Sequence, residues 1–194
     1  MKVIVSNKNI EYRGFFTLEK STLQFEKLDG SLSEHVIREN FYRGDSVSAL
    51  VYDSKLRKIL FVRQFRYPVY TVEPENSWIL ELVAGSCNRG EDPAETMARE
   101  LSEEVHIKSN TKDIVLLSTF FVSPGGTSEK IYLYSIETDL SGYDKNSGGL
   151  DEENEDIEIV LLSFDEAFSL LDNQKVYDAK TIIALQQLRL NVVN

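Results

Sequence analysis

Between Gly85 and Ile107 the chain reads Gly-Ser-Cys-Asn-Arg-Gly-Glu-Asp-Pro-Ala-Glu-Thr-Met-Ala-Arg-Glu-Leu-Ser-Glu-Glu-Val-His-Ile, and no other stretch constrains the fold as tightly. Asp92 followed by Pro93, with Glu95 three residues after the cap, predicts a helix start, because this set satisfies N–H groups that a first turn leaves unpaired. Ala94, Met97, Ala98, Leu101 and Val105 then recur at helical spacing as an apolar stripe. Glu100, Glu103 and Glu104 share another face at i, i+3 and i+4. A solvated acidic face is the plain reading of such a triplet, since like charges four apart cost only about 0.2–0.5 kcal/mol on an exposed helix.

The whole spacing decides against that plain reading. Gly85, five residues, Glu91, seven residues, Arg99-Glu100-Leu101, one residue, Glu103-Glu104 and then Ile107 closely resembles the Nudix box, the signature of hydrolases that cleave a diphosphate linked to another group. His106 stands where the family usually has glycine. If that position is left-handed, a non-glycine residue costs on the order of 1 kcal/mol, and His is among the more tolerant. The resemblance implies an α+β fold: a Nudix-type α/β/α sandwich with a mixed β-sheet core and a small N-terminal β subdomain. The expected division is 1–44 for that dimerisation subdomain and 45–194 for the hydrolase domain.

The 194 residues suffice for one sizeable core. No run approaches the roughly 18 apolar residues of a membrane span. The first eight residues lack the apolar core of a secretory signal. Cys87 is the only cysteine, so an intrachain disulfide is excluded and a reducing, cytoplasmic setting is expected. A net charge of −11 disfavours nucleic acid as a partner, because such binding draws on Lys and Arg to neutralise phosphates. A small phosphorylated ligand remains open, given a divalent metal and a few placed arginines.

In the first 44 residues, Phe15–Glu19, Leu23–Leu28 and Glu34–Arg38 have strand character around an Asp29-Gly30 turn, which predicts a hairpin. Tyr12-Arg13-Gly14-Phe15-Phe16, Arg38 and Phe41-Tyr42-Arg43-Gly44 resemble the N-terminal strands of ADP-ribose pyrophosphatases and GDP-mannose hydrolases. In those relatives the region exchanges between subunits and helps hold the nucleoside. The resemblance therefore implies a homodimer through these strands, with Phe15 and Arg38 at substrate-binding positions. On the residues alone, a core Phe and a solvated Arg serve equally well.

Ser46–Asp53 and Lys58–Arg66 alternate around a Ser54-Lys55 turn as paired strands, and Trp78–Ala84 reads as one apolar strand leading into Gly85. The Arg63-Gln64-Phe65-Arg66 run resembles one that places its last arginine on the substrate diphosphate, which maps onto Arg66; a strand-end pair with a surface Glu is the alternative. Glu81 stands where relatives often carry an acid near substrate, or is simply a surface carboxylate. After a strand over Asp113–Val122, the Ser123-Pro124-Gly125-Gly126 loop resembles a marker of the same branch and brings Gly125 to the substrate. Lys130–Glu137 is a further strand.

Residues 139–156 form a polar, acidic loop. It resembles the loop that closes over the diphosphate and carries the catalytic base, with Glu153 aligned best to that base, Glu152 and Glu155 the next candidates for it, and Glu155 aligned also to an additional metal-facing carboxylate. Beyond it, a strand over Ile157–Ser163 and helices over Phe164–Leu171 and Ala179–Leu190 are assigned to packing, although Asp178-Ala179-Lys180-Thr181 resembles the start of the family's last helix.

Diphosphate hydrolysis must offset phosphate charge and make a nucleophile from water, which Mg2+ does with hard oxygen ligands. The resemblance gives Glu100, Glu104, Glu155 and the Ala84 carbonyl to the metal, with Mn2+ a possible substitute. Glu103 stands beside them, and Arg99 pairs with Glu91 to tie loop to helix. The function implied is Mg2+-dependent hydrolysis of nucleoside diphosphate sugars, ADP-ribose to AMP and ribose 5-phosphate first, GDP-mannose as the alternative. A catalytically silent Nudix-fold binding domain and an RNA-decapping or mutagenic-nucleotide hydrolase are the lesser readings.

Overall fold

The computed structural model describes residues 1–149 and 155–193. Strands β1 (Val3–Arg13), β2 (Thr17–Phe25) and β3 (Val36–Tyr42) form an antiparallel sheet in the order β1-β2-β3. The two short strands expected around Leu23 are one strand, β2, and its first partner β1 was not foreseen. Every residue of β1 is exposed, so no inside–outside alternation marks it in the sequence. Residues Met1–Asp45 with Phe121–Lys130 make one compact unit; Ser46–Phe120 with Ile131–Asn194 make the other.

In the second unit, β4 (Ser46–Asp53) and β5 (Lys58–Phe65) are joined by a turn in which Arg57 is left-handed, φ 52°. They pair with each other only over Val51–Asp53. Before Val51 in β4 and after Leu60 in β5 they part, and β6 (Trp78–Glu81) pairs with β5 while β7 (Val83–Ser86) pairs with β4. The run expected as one strand over Trp78–Ala84 is thus two, because the chain changes partner at Leu82. That residue buries its side chain completely and donates its N–H to Thr181 Oγ1 at 3.1 Å.

Strands β8 (Val115–Phe121), β9 (Lys130–Glu137), β10 (Ser147–Gly148) and β11 (Ile157–Ser163) complete an eight-stranded sheet with the path β10-β11-β5-β4-β9-β8. It is mixed, since β9 runs parallel to β4 and β11 antiparallel to β5. The strand β10 lies within a stretch expected to be all loop.

Alternation along the central strands sends side chains to two covered faces. Val47, Ala49, Val51, Leu60 and Val62 meet Met97, Leu101 and Val105 of helix α2 (Pro93–Val105) on one side. Leu50, Ile59, Phe61 and Leu133 meet Phe164 and Ala167 of α3 (Phe164–Asp172) and Ala184, Leu185 and Leu188 of α4 (Ala179–Val193) on the other. Each of these Val, Leu, Ile, Met and Phe side chains contributes about 1.5–3 kcal/mol on burial. The result is the α/β/α sandwich, of α+β class, that the sequence predicts. The one-turn helix α1 (Tyr67–Tyr70), which follows β5, has no counterpart in the reading of the sequence.

Candidate active site

Helix α2 begins where its cap residue requires. Asp92 is extended and its Oδ1 accepts from the Ala94 N–H at 2.8 Å, with Pro93 in the first turn. The helix ends on His106 in the left-handed conformation, φ 56° and ψ 23°, so the histidine adopts the backbone that glycine would adopt more cheaply. Its ring Nε2 lies 3.1 Å from the Ser147 carbonyl, and Tyr143 donates its hydroxyl to the Val105 carbonyl at 2.8 Å. The end of α2 is thereby fastened to the descending acidic segment.

Between these ends the carboxylates do not form a solvated face. Glu104 is 5% exposed and accepts from the Ala84 N–H at 3.2 Å. Glu100 packs over Gly85, where a Cβ would collide with its carboxyl group, so only glycine leaves it room. Burial, opposed in part by Arg99 and helped by Glu103 and Glu155, pushes Glu100 up to about 7. Burial and the Glu100 charge push Glu104 up to about 8. Arg99 Nη1 reaches Glu100 at 2.8 Å and Glu103 at 2.9 Å, while its Nε, buried and without a hydrogen-bond partner among the described residues, lies 3.5 Å from Glu91. Arg99 therefore ties the loop before α2 to the helix and partly offsets three acids at once.

Arg66 follows β5. Its Nε and Nη2 donate to the two Glu81 oxygens at 2.7 and 3.1 Å. The Glu81 side chain is 5% exposed, so this is no surface pair. Burial works against the Arg66 charge, but Glu81, Glu104 and Asp178 outweigh it and hold the guanidinium above its usual value. Lys180 Nζ lies 3.5 Å from Glu81 and 2.6 Å from Asp178. The sequence alone assigns that segment to packing; the signals it carries are the resemblance of Asp178-Ala179-Lys180-Thr181 to the family's last helix start and an Asp placed to cap a helix with a Lys two residues on.

The donor set suits a hard divalent cation. Two carboxylates one turn apart on a rigid helix resist ionisation through burial and mutual repulsion, and a nearby dication reverses that preference. Among the described residues no three acid, His or Cys side chains enclose a metal by themselves. Such an ion would complete its shell with backbone oxygen, water or substrate phosphates, as Mg2+ commonly does.

The remaining predicted residues fall in different places. Glu155 is described, and its charge acts on Glu100 and Glu104. Glu152 and Glu153 lie outside the described residues. Phe15, Arg38 and Gly125 belong to the first unit. Phe15 is 94% exposed, in an edge-to-face arrangement with Phe16, ring centroids 4.8 Å apart. Arg38 Nη1 donates to the Ile37 carbonyl at 2.8 Å, and Arg38, Asn40, Phe121 and Gly125 line a cavity of about 390 Å³.

A model of the NUDIX domain matches residues 42–185 of the chain. An ADP-ribose pyrophosphatase of Escherichia coli (strain K12) is 35% identical over 183 residues, covering 93% of this chain and 84% of the relative. A GDP-mannose pyrophosphatase of Pectobacterium atrosepticum is 32% identical over 172 residues, covering 89% and 86%. A crystal structure of an ADP compounds hydrolase superposes with a TM-score of 0.70 at 22% identity, over 97% of this chain and 93% of that one, a likeness of fold.

Proposed function

The chain belongs to the NUDIX family, and from that premise we propose that it is a Mg2+-dependent pyrophosphohydrolase of nucleoside diphosphate sugars, with ADP-ribose giving AMP and ribose 5-phosphate. The observation that carries this reading is the pair of carboxylates on one helix beside Ala84 and Gly85, Glu104 buried and the Glu100 side chain only 13% exposed. That pair, with Glu155 and the Ala84 carbonyl, would hold the metal. When bound, a divalent ion supplies charge to offset the diphosphate and acidity to a coordinated water; Mn2+ is the natural substitute.

The protein's own groups take the other tasks. Arg66, with one edge of its fork committed to Glu81, has the other edge for a phosphate oxygen. Arg99 holds Glu100 and Glu103 in place and keeps the loop from Gly85 to Glu91 tied to α2. Glu153 is the proposed base that takes the proton from the attacking water. Phe15, Arg38 and Gly125 are assigned to the nucleoside, and the exposed sheet β1-β2-β3 to a homodimer, in a cytoplasmic enzyme.

The relative named for GDP-mannose favours that sugar as the second substrate to try. The deciding experiment incubates the protein and Mg2+ with ADP-ribose, GDP-mannose and UDP-glucose and separates the products chromatographically. Appearance of AMP with ribose 5-phosphate supports the first reading, and GMP with mannose 1-phosphate the second. Failure to cleave any diphosphate sugar overturns both.

A further inference from the structure

We propose that Lys180 is a positioning residue of the diphosphate site: seated between Asp178 and the buried Glu81 carboxylate, it fixes the Arg66 guanidinium through Glu81. The inference rests on the reading of Arg66 as a phosphate ligand given above.

Glu81 is too buried to be left as an anion without compensation. Arg66 meets it side-on, and Lys180 Nζ stands 3.5 Å from Oε2, the oxygen that also takes the longer Arg66 bond. Arg66, Glu81, Lys180 and Asp178 thus alternate in sign and sum to zero. The lysine side chain is only 17% exposed, whereas that of Arg66 is 39% exposed. Lys180 is therefore placed to act on Glu81, and Arg66 to act on a ligand.

The seat of the lysine is itself rigid. Asp178 Oδ1 holds Nζ at 2.6 Å, while Oδ2 accepts from the Thr181 N–H at 2.9 Å and from its hydroxyl at 2.6 Å. Thr181 is fully buried, and its Oγ1 accepts in turn from the N–H of Leu82, the residue after Glu81. The start of α4 therefore grips the β6–β7 break twice, once through the backbone and once through charge. With Lys180 present, the Glu81 plane is set from two sides, and the fork of Arg66 is turned by it. Without Lys180, Arg66 is the one side chain among the described residues that holds Glu81, and the pair gains freedom to rotate together.

Full-length Lys180→Gln, Glu81→Gln and the double variant test this. In 15N spectra, with the Arg66 Nε–H signal identified through Arg66→Lys, that proton should exchange with water about tenfold faster in K180Q than in the parent. With the diphosphate sugar as substrate, K180Q should raise KM about tenfold and leave kcat within about threefold, the signature of lost ground-state binding. K180R, which keeps the cation, should recover most of the KM. Adding K180Q to E81Q should change nothing further, whereas a purely structural role would make the losses multiply. Unchanged Arg66 Nε–H exchange, or multiplying losses, overturns the proposal. Should K180Q not fold, Lys180→Met gives the same neutral comparison. A parent protein that cleaves no diphosphate sugar defeats the proposed function alone, and the exchange measurement still decides the role of Lys180.

Discussion

Glu104 shows how far a single residue departs from its sequence appearance. It is one of three acids on one face of a helix, yet it is buried and raised to about 8, from an ordinary value of 4.5. A carboxyl group whose pKa is higher folded than unfolded stabilises the fold fully below the unfolded value and loses that contribution as pH rises through the folded one. With a chelator present, the melting temperature should therefore fall between about pH 4.5 and pH 8 on account of Glu104, with Glu100 adding to the drop up to about 7. Glu104→Gln should flatten this fall, melt higher than the parent at pH 8, and have no measurable diphosphatase activity. Circular dichroism melts at pH 5, 6, 7 and 8 read the first two effects, and product chromatography the third. Gly85→Ala is the complementary change, since the new methyl group displaces the Glu100 carboxyl. Turnover should fall about a hundredfold, as expected for a misplaced reacting group, with little loss of secondary structure.

At the scale of the element, α2 and α4 are held at their starts by side chains that can be removed one at a time. Asp92→Ala removes the acceptor for the Ala94 N–H and should destabilise the fold by about 1 kcal/mol, read by urea unfolding. Thr181→Val keeps the side-chain shape but leaves the Leu82 N–H without its acceptor and Asp178 without one donor. The cost should be larger, about 1–3 kcal/mol, because the Leu82 N–H is left unpaired in a buried place. Helix α2 was legible in outline: its cap, its proline and its apolar stripe all appear in the sequence, and the strain at His106 could be stated as a condition. The break between β6 and β7 was not legible. Trp78 to Ala84 reads as continuous apolar strand, and only the parting of β4 and β5, a matter of which strands lie alongside, divides it.

At the scale of the whole molecule, the sheet β1-β2-β3 exposes Val5, Ile10, Tyr12 and Ile37 together with Phe15. Three strands bury little by themselves, and such a surface is consistent with pairing to a second copy. Size-exclusion chromatography with light scattering should give twice the chain mass. Replacing Tyr12 and Ile37 together by lysine should halve that value, and a parent already monomeric would remove the homodimer from the proposal.

The sequence by itself determined the reaction class, since the spacing from Gly85 to Ile107 is local and a helix turns local spacing into geometry at 3.6 residues per turn. It likewise marked Ser46–Asp53 and Lys58–Arg66 as paired strands, while the two covered faces of their sheet came with the family resemblance. Only the tertiary structure decided that Glu104 is buried while Glu103 stays partly open, that Arg66 answers to Glu81, and that Lys180 stands behind both. Burial and ion pairing depend on distances between residues 15 to 99 positions apart, and no periodicity in the chain encodes them.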